Sequence, residues 1–226
     1  MKRSKITILL AIVLGMTFHS CLDLEPQDQL GGKNMWTSVN DYKQFANTFY
    51  SWTRDFSSVV YDGTHSDKRS DLITYQSYNE FSRGINSIPS SDANYTDNYK
   101  HIRRTNLLLQ NAEAYAKPED IKQYIGEAYF FRAYSYFDLL QLYGDVIITK
   151  KPLDITDPEM KVKRNDRSEV VDLIIDDLNH AVENLPAFKE LTTEEEGRIS
   201  KEGAQAFLSR VALYEGTWQK SRNGNQ

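Results

Sequence analysis

From Met35 onward, apolar positions recur with a period near 3.6 residues, the spacing that lays one stripe along a helix. Ser38 followed by Asp41 predicts a capped start for a first helix reaching about Trp52. Its stripe is Tyr42, Phe45, Ala46, Phe49 and Tyr50. A second helix is predicted over Tyr95 to Tyr115, with Ile102, Leu107, Leu108, Leu109 and Ala112 apolar. Pro118 suits the first turn of a third helix, Glu119 to Tyr143, which Gly144 ends. That third segment is apolar around most of its girth, from Ile121 and Ile125 through Phe130, Phe131, Tyr136 and Leu140. A helix of that kind is covered on several sides, which makes it the predicted core. Val146 to Ile148 reads as an extended exit. Asp166 with Glu169 opens a fourth helix that ends at Leu185-Pro186, and Ser200 opens a fifth through about Trp218.

Between the first two helices, roughly residues 57–92 form a long irregular stretch rich in Ser, Asp, Asn, Gly and Tyr. Loops beyond about 12–15 residues in a compact domain tend to be functional or disordered. A weak internal repeat aligns Ala128, Tyr129, Phe130, Arg132 and Tyr136 with Ala206, Phe207, Leu208, Arg210 and Tyr214. Small and aromatic residues at such offsets let neighbouring helices approach, as in tetratricopeptide units. The predicted fold class is therefore all-α: tetratricopeptide-like stacked helical hairpins with a long irregular loop insertion. The fifth helix has no pairing helix after it, so the chain reads as a fragment of a longer array.

The first twenty residues follow a different pattern. A basic start, Met1 to Lys5, leads into the apolar run Ile6 to Phe18. Thirteen helical residues span roughly 20 Å, short of the ~30 Å hydrocarbon core, so the run reads as an export signal. The sole cysteine, Cys21, stands where a signal peptidase would cut, which makes it the candidate lipid-attachment residue of a lipobox. Phe18 and His19 depart from a strict lipobox, and an ordinary secreted protein with an incidental cysteine is the alternative. Stable anchoring takes two or more acyl chains. The predicted organisation is a signal peptide over 1–20, a lipidated tether over 21–36 and a helical domain over 37–226.

Charge and composition then narrow the chemistry. The formal charge is −5, and removing the first twenty residues takes Lys2, Arg3 and Lys5 away with no acid, leaving −8. An acidic balance argues against a nucleic-acid partner. One cysteine forms no internal disulfide, and four scattered histidines give no metal-ligand spacing. No phosphate loop, dinucleotide-binding glycine pattern or nucleophile elbow occurs, and no carboxylate pair is singled out for glycoside cleavage. No cofactor and no catalytic residue are predicted. His65, His101 and His180 are assigned surface or capping roles, and Arg132 and Arg210 are assigned to ordering helix packing.

Several segments, in order along the chain, carry a resemblance. They are Ser20-Cys-Leu-Asp-Leu-Glu-Pro26, Met35-Trp-Thr-Ser38, Tyr99-Lys-His-Ile-Arg-Arg-Thr-Asn-Leu107 and Gly126-Glu-Ala-Tyr-Phe-Phe-Arg132 through Leu142-Tyr-Gly-Asp145. Asp176 to Pro186 and Gly197 to Gly216 complete the series. Together the chain resembles the N-terminal half of a SusD/RagB-family outer-membrane lipoprotein. The resemblance implies a helical scaffold tethered by lipid at the cell surface. It also implies capture of a glycan or other nutrient for a SusC-like TonB-dependent transporter, without catalysis. Family members are usually more than twice as long, so a C-terminal half that supplies part of the ligand surface is expected to be missing.

A sugar site needs an aromatic platform for C–H faces and amides, guanidinium or carboxylates for hydroxyls. The long loop holds both kinds: Tyr61, Tyr75, Tyr78 and Phe81 with Asp71, Asn79, Arg83 and Asn86. Asp71, Tyr75, Tyr78 and Arg83 are the candidate ligand contacts. The competing function is a lipid-anchored tetratricopeptide adaptor for a peptide or protein, though such arrays join their helices by short turns. An enzyme without a recognised motif is the third.

Overall fold

A computed structural model describes residues 35–54, 83–85, 87–154 and 156–223. Cys21, Asp71, Tyr75 and Tyr78 lie outside these residues, as do His65, Tyr61, Asn79, Phe81 and Asn86. The described residues from Trp36 onward belong to one compact unit. Among the described residues the fold is helical, and the sole β feature is an isolated antiparallel bridge between Val146 and Asn165.

Helix α1, Val39–Asn47, begins where the sequence places it: Asp41 accepts from the Ser38 backbone at 2.8 Å while Ser38 accepts from the Asp41 backbone. It tightens into a 3-10 turn, Thr48–Trp52, so the predicted single helix is two joined pieces. Helix α2 is Ala93–Glu113, capped by Asp92. A 3-10 turn, Pro118–Ile121, leads into α3, Lys122–Tyr143. Gly144, at φ 71°, ends α3 in a left-handed conformation that a side chain would strain. Helix α4, Arg167–Asn184, starts with Glu169 accepting from the Asp166 backbone at 3.0 Å, and α5 is Lys201–Asn223.

Helix α3 is the core, packed mainly against α2 on one side and α4 on the other. Ala128, Phe131, Ala133, Tyr136, Leu139 and Leu140 are fully or almost fully buried. Phe49, Tyr50 and Trp52 pack on Phe131, so the end of α1 closes over α3. Phe207 of α5 packs on Phe130, Tyr134 and Phe137. Gly126 lets α3 approach the end of α4: a Cβ there would sit 2.9 Å from Leu185 Cγ.

Three arginines fasten the helices to one another. Arg132 of α3 donates two bonds to Asp177 of α4, at 2.8 and 2.6 Å, and a third to Asn106 of α2. Arg198 donates to both oxygens of Glu127, at 2.8 and 2.7 Å, and lies over the Tyr50 and Tyr124 rings. Arg167 holds Glu215 of α5 and covers Trp218. Burial raises the carboxyl of Glu127, and the facing guanidinium of Arg198 opposes that shift. The internal repeat is only half realised. Arg132 is buried in its clamp, whereas its counterpart Arg210 is exposed and does not order helix packing as predicted.

The exit after α3 is stitched down by side chains in place of a sheet. The Tyr99 hydroxyl donates to the Ile147 carbonyl and accepts from its N–H, at 2.8 and 2.9 Å. Tyr136 does the same for Thr149, and Asn106 donates to the Thr149 carbonyl. The extended reading of 146–148 therefore holds because two tyrosines and an amide replace strand partners.

Candidate functional site

The 3-10 turn that extends α1 ends at Trp52, and α2 begins at Ala93. Between these points lies a hollow of about 160 Å³ lined by Trp52, Arg54, Asn94, Asp97, Asn98, His101, Tyr134 and Asp138, with Ala93 at its edge. Helical spacing explains the lining. Asn94, Asp97, Asn98 and His101 fall three and four residues apart and share one face of α2, and Tyr134 and Asp138 do the same on α3. Trp52 arrives from the 3-10 turn, whose tighter winding ends on the hollow's rim.

The rings are fixed. Trp52 stacks on His101, with centroids 4.1 Å apart and planes at 16°, and its edge meets Phe131. The polar groups are fixed as well. Arg54 pairs with Asp138, and Asn98 donates to Asp138 at 2.9 Å and to the Asn94 carbonyl at 2.8 Å. At the edge, Asp92 caps α2 through the Asn94 N–H and accepts from the Tyr143 hydroxyl at 2.7 Å.

Electrostatics follow from this packing. Burial against Trp52 pushes the His101 imidazole down to about 4, with Asp97 pulling the other way and Arg104 and Lys100 adding to the fall. His101 is therefore a neutral ring at ordinary pH. It is half-buried in an aromatic stack, which corrects its assignment to a surface or capping role. Lys100, hydrogen-bonded to Asp97, holds that carboxyl below its usual value. Burial pulls Arg54 down from its ordinary value, and Arg210 adds to the fall. A guanidinium stays charged throughout the physiological range.

The hollow is thus lined by aromatic rings beside two amides, two carboxylates and a guanidinium. That set can stack a sugar ring's C–H face and pair its hydroxyls. Its volume is below the roughly 300–1,000 Å³ that encloses a whole drug-sized ligand, so it suits one ring of a longer one. Among the described residues, no group of His, Cys, Asp and Glu side chains could hold a metal ion.

Of the four predicted contacts, only Arg83 falls among the described residues. It stands exposed at a turn with Gly84 and is not part of the hollow's lining. Trp52, Arg54, Asn94, Asn98, Tyr134 and Asp138 escaped the sequence reading. One signal was present: polar residues at helical spacing on the first half of α2, where the apolar stripe has not yet begun.

Comparison with known proteins assigns the family. Residues 22–213 match the SusD-like family model described as starch-binding, associating with the outer membrane. The chain belongs to the SusD-like family. A SusD-like protein from Formosa agariphila is 28% identical over 233 residues, covering 94% of this chain and 42% of that protein. A crystal structure of a SusD-like protein from Bacteroides fragilis superposes with TM-score 0.69 at 27% identity, over 86% of this chain and 38% of the other. A laminarin-binding SusD-like protein superposes with TM-score 0.54 at 30% identity, over 62% of this chain and 30% of that one. The chain spans less than half the length of the curated relatives it matches. The SusD-like assignment agrees with the resemblance read from the sequence, and the all-α, tetratricopeptide-like fold class holds. No described helix is long and apolar enough to cross a membrane.

Proposed function

We propose that this SusD-like chain is part of a lipid-anchored outer-membrane surface protein that captures a glycan and passes it to a SusC-like TonB-dependent transporter. The observation that carries the reading is the Trp52–His101 stack facing Asn98, Arg54 and Asp138 across one hollow. It gathers the aromatic and planar hydrogen-bonding groups that a saccharide site uses. In this reading Asp71, Tyr75, Tyr78 and Arg83 add further ligand contacts. Asp138 is committed to Arg54 and Asn98, an arrangement that holds a ligand in place and moves no proton. The protein binds and releases without catalysis.

Cys21 carries the acyl anchor, and residues 21–36 form the tether. Laminarin is the first polysaccharide to test, given the similarity to a laminarin-binding relative. In an affinity gel the full chain is retarded by the cognate polysaccharide, and Trp52→Ala, Tyr75→Ala and Tyr78→Ala each weaken that retardation. Mobility unchanged by a broad panel of polysaccharides would overturn the reading. Labelled palmitate marks the wild type and not Cys21→Ser, and label on neither would remove the anchor.

A further inference from the structure

A second hollow, of about 430 Å³, opens on the other side of the first half of α2 and shares no residue with the first. Tyr95 and Tyr99 come from α2, Ile147, Thr149 and Leu153 from the stitched exit after α3, and Met160 from the short turn Pro158–Lys161. Its floor is preformed. The Tyr99 and Tyr136 hydroxyls occupy the backbone groups of Ile147 and Thr149, so the exposed inner surface is mostly carbon. Tyr95 is held by tilted and edge contacts to Tyr99 and Tyr143, at 4.8 and 5.2 Å. The volume lies in the range of roughly 300–1,000 Å³ that small-molecule sites occupy.

Three of the four charged side chains on the rim are basic. Lys100, Arg103 and Lys151 line the hollow against a single acid, Glu159, in a chain whose net charge is −5. Each cation is more than half exposed and sits in a surface pair: Lys100 with Asp97, Arg103 with Asp154 at 3.5 Å, Lys151 with Glu159. Such pairs are worth about 0–1 kcal/mol, so an incoming anion can replace them. Arg103 bonds through Nε and Nη2, which leaves Nη1 uncommitted among the described residues.

A sugar fits this lining poorly. Thr149 already bonds Tyr136, so Thr96 and Glu159 are the main side-chain acceptors for a ring of hydroxyls, and unpaired buried hydroxyls are costly. A cation finds only Glu159 among the lining acids, and Lys151 already holds it. We propose that this second hollow binds a small amphipathic anion, an apolar body of about eight carbons bearing one carboxylate. Tyr95, Ile147, Leu153 and Met160 surround the body, and Arg103 and Lys151 take the carboxylate. The site is independent of the glycan reading.

The test titrates the full chain, labelled at methionine methyl groups, with octanoate below its micellar concentration. The Met160 resonance, assigned with Met160→Leu, shifts saturably. Arg103→Gln with Lys151→Gln weakens that binding at least 5-fold, 0.5 M salt weakens it, and 1-octanol binds at least 5-fold more weakly than octanoate. Absence of a saturable Met160 shift overturns the proposal, as do equal binding of octanol or octylammonium, equal binding by the double variant, and association only with phosphatidylglycerol vesicles. The ligand and salt arms use the wild-type chain, so they decide the matter whatever the variants do to folding.

Discussion

Arg132 and Asp177 face each other through two parallel hydrogen bonds, 2.8 and 2.6 Å long, with both side chains almost fully buried. The guanidinium bonds Asn106 as well, and Asn106 holds the carbonyl of Thr149, so one ion pair ties α4, α3, α2 and the exit segment together. Removing one partner strands the other in a dry interior. Asp177→Asn or Arg132→Met therefore lowers unfolding free energy by about 3–5 kcal/mol in urea titrations. Replacing both with apolar residues recovers most of that loss. A single variant within ~1 kcal/mol of wild type contradicts the clamp.

Gly126→Ala tests the close approach of α3 and α4. The new Cβ meets Leu185 Cγ at 2.9 Å and the Leu185 backbone nitrogen at 3.1 Å. Overpacking costs about 1–3 kcal/mol, against a gain of roughly 0.8–1.0 kcal/mol in helix propensity. A net loss of up to about 2 kcal/mol is expected by thermal or urea unfolding. In the Leu185→Ala background the same substitution costs less, though the backbone contact remains.

His101 makes stability depend on pH. Its folded value is near 4 and the unfolded value is 6.5, so the unfolded chain takes up the proton first as pH falls. The stabilisation is whole above pH 6.5 and is lost as pH drops from 6.5 to about 4, then levels off. Partial exposure holds the loss to about 1 kcal/mol. The His101 ring protons, followed by NMR, titrate with a midpoint near 4, and Trp52→Ala moves that midpoint up toward 6.5. A wild-type midpoint at 6.5 contradicts the stack.

The helices were legible because each carries its own punctuation. Ser38 with Asp41, Pro118, Gly144 and Asp166 with Glu169 fix ends through local hydrogen bonds or backbone geometry. The girdle of apolar residues on α3 revealed the core for the same reason. The hollow was not legible, since it depends on pairings far apart in sequence: Trp52 with His101, Arg54 with Asp138, Asn98 with Asp138. His101 illustrates the limit. Lys100, Arg103 and Arg104 flank it in sequence, and only the approach of the chain after α1 sets Trp52 against it. The alignment of Arg132 with Arg210 misled in the opposite way, because a shared helical position does not supply a shared neighbouring helix.

The Asn98 amide lines the hollow without belonging to the ring stack, so it and Trp52 probe the site separately. The decisive measurement is a glycan array of the full chain beside Trp52→Ala and Asn98→Ala, with the fold of each checked by circular dichroism. At least one saccharide retained by wild type is expected to lose tenfold or more in affinity with both folded variants. Saccharide binding unchanged in both variants, or no saccharide retained by wild type, contradicts the assignment of this hollow.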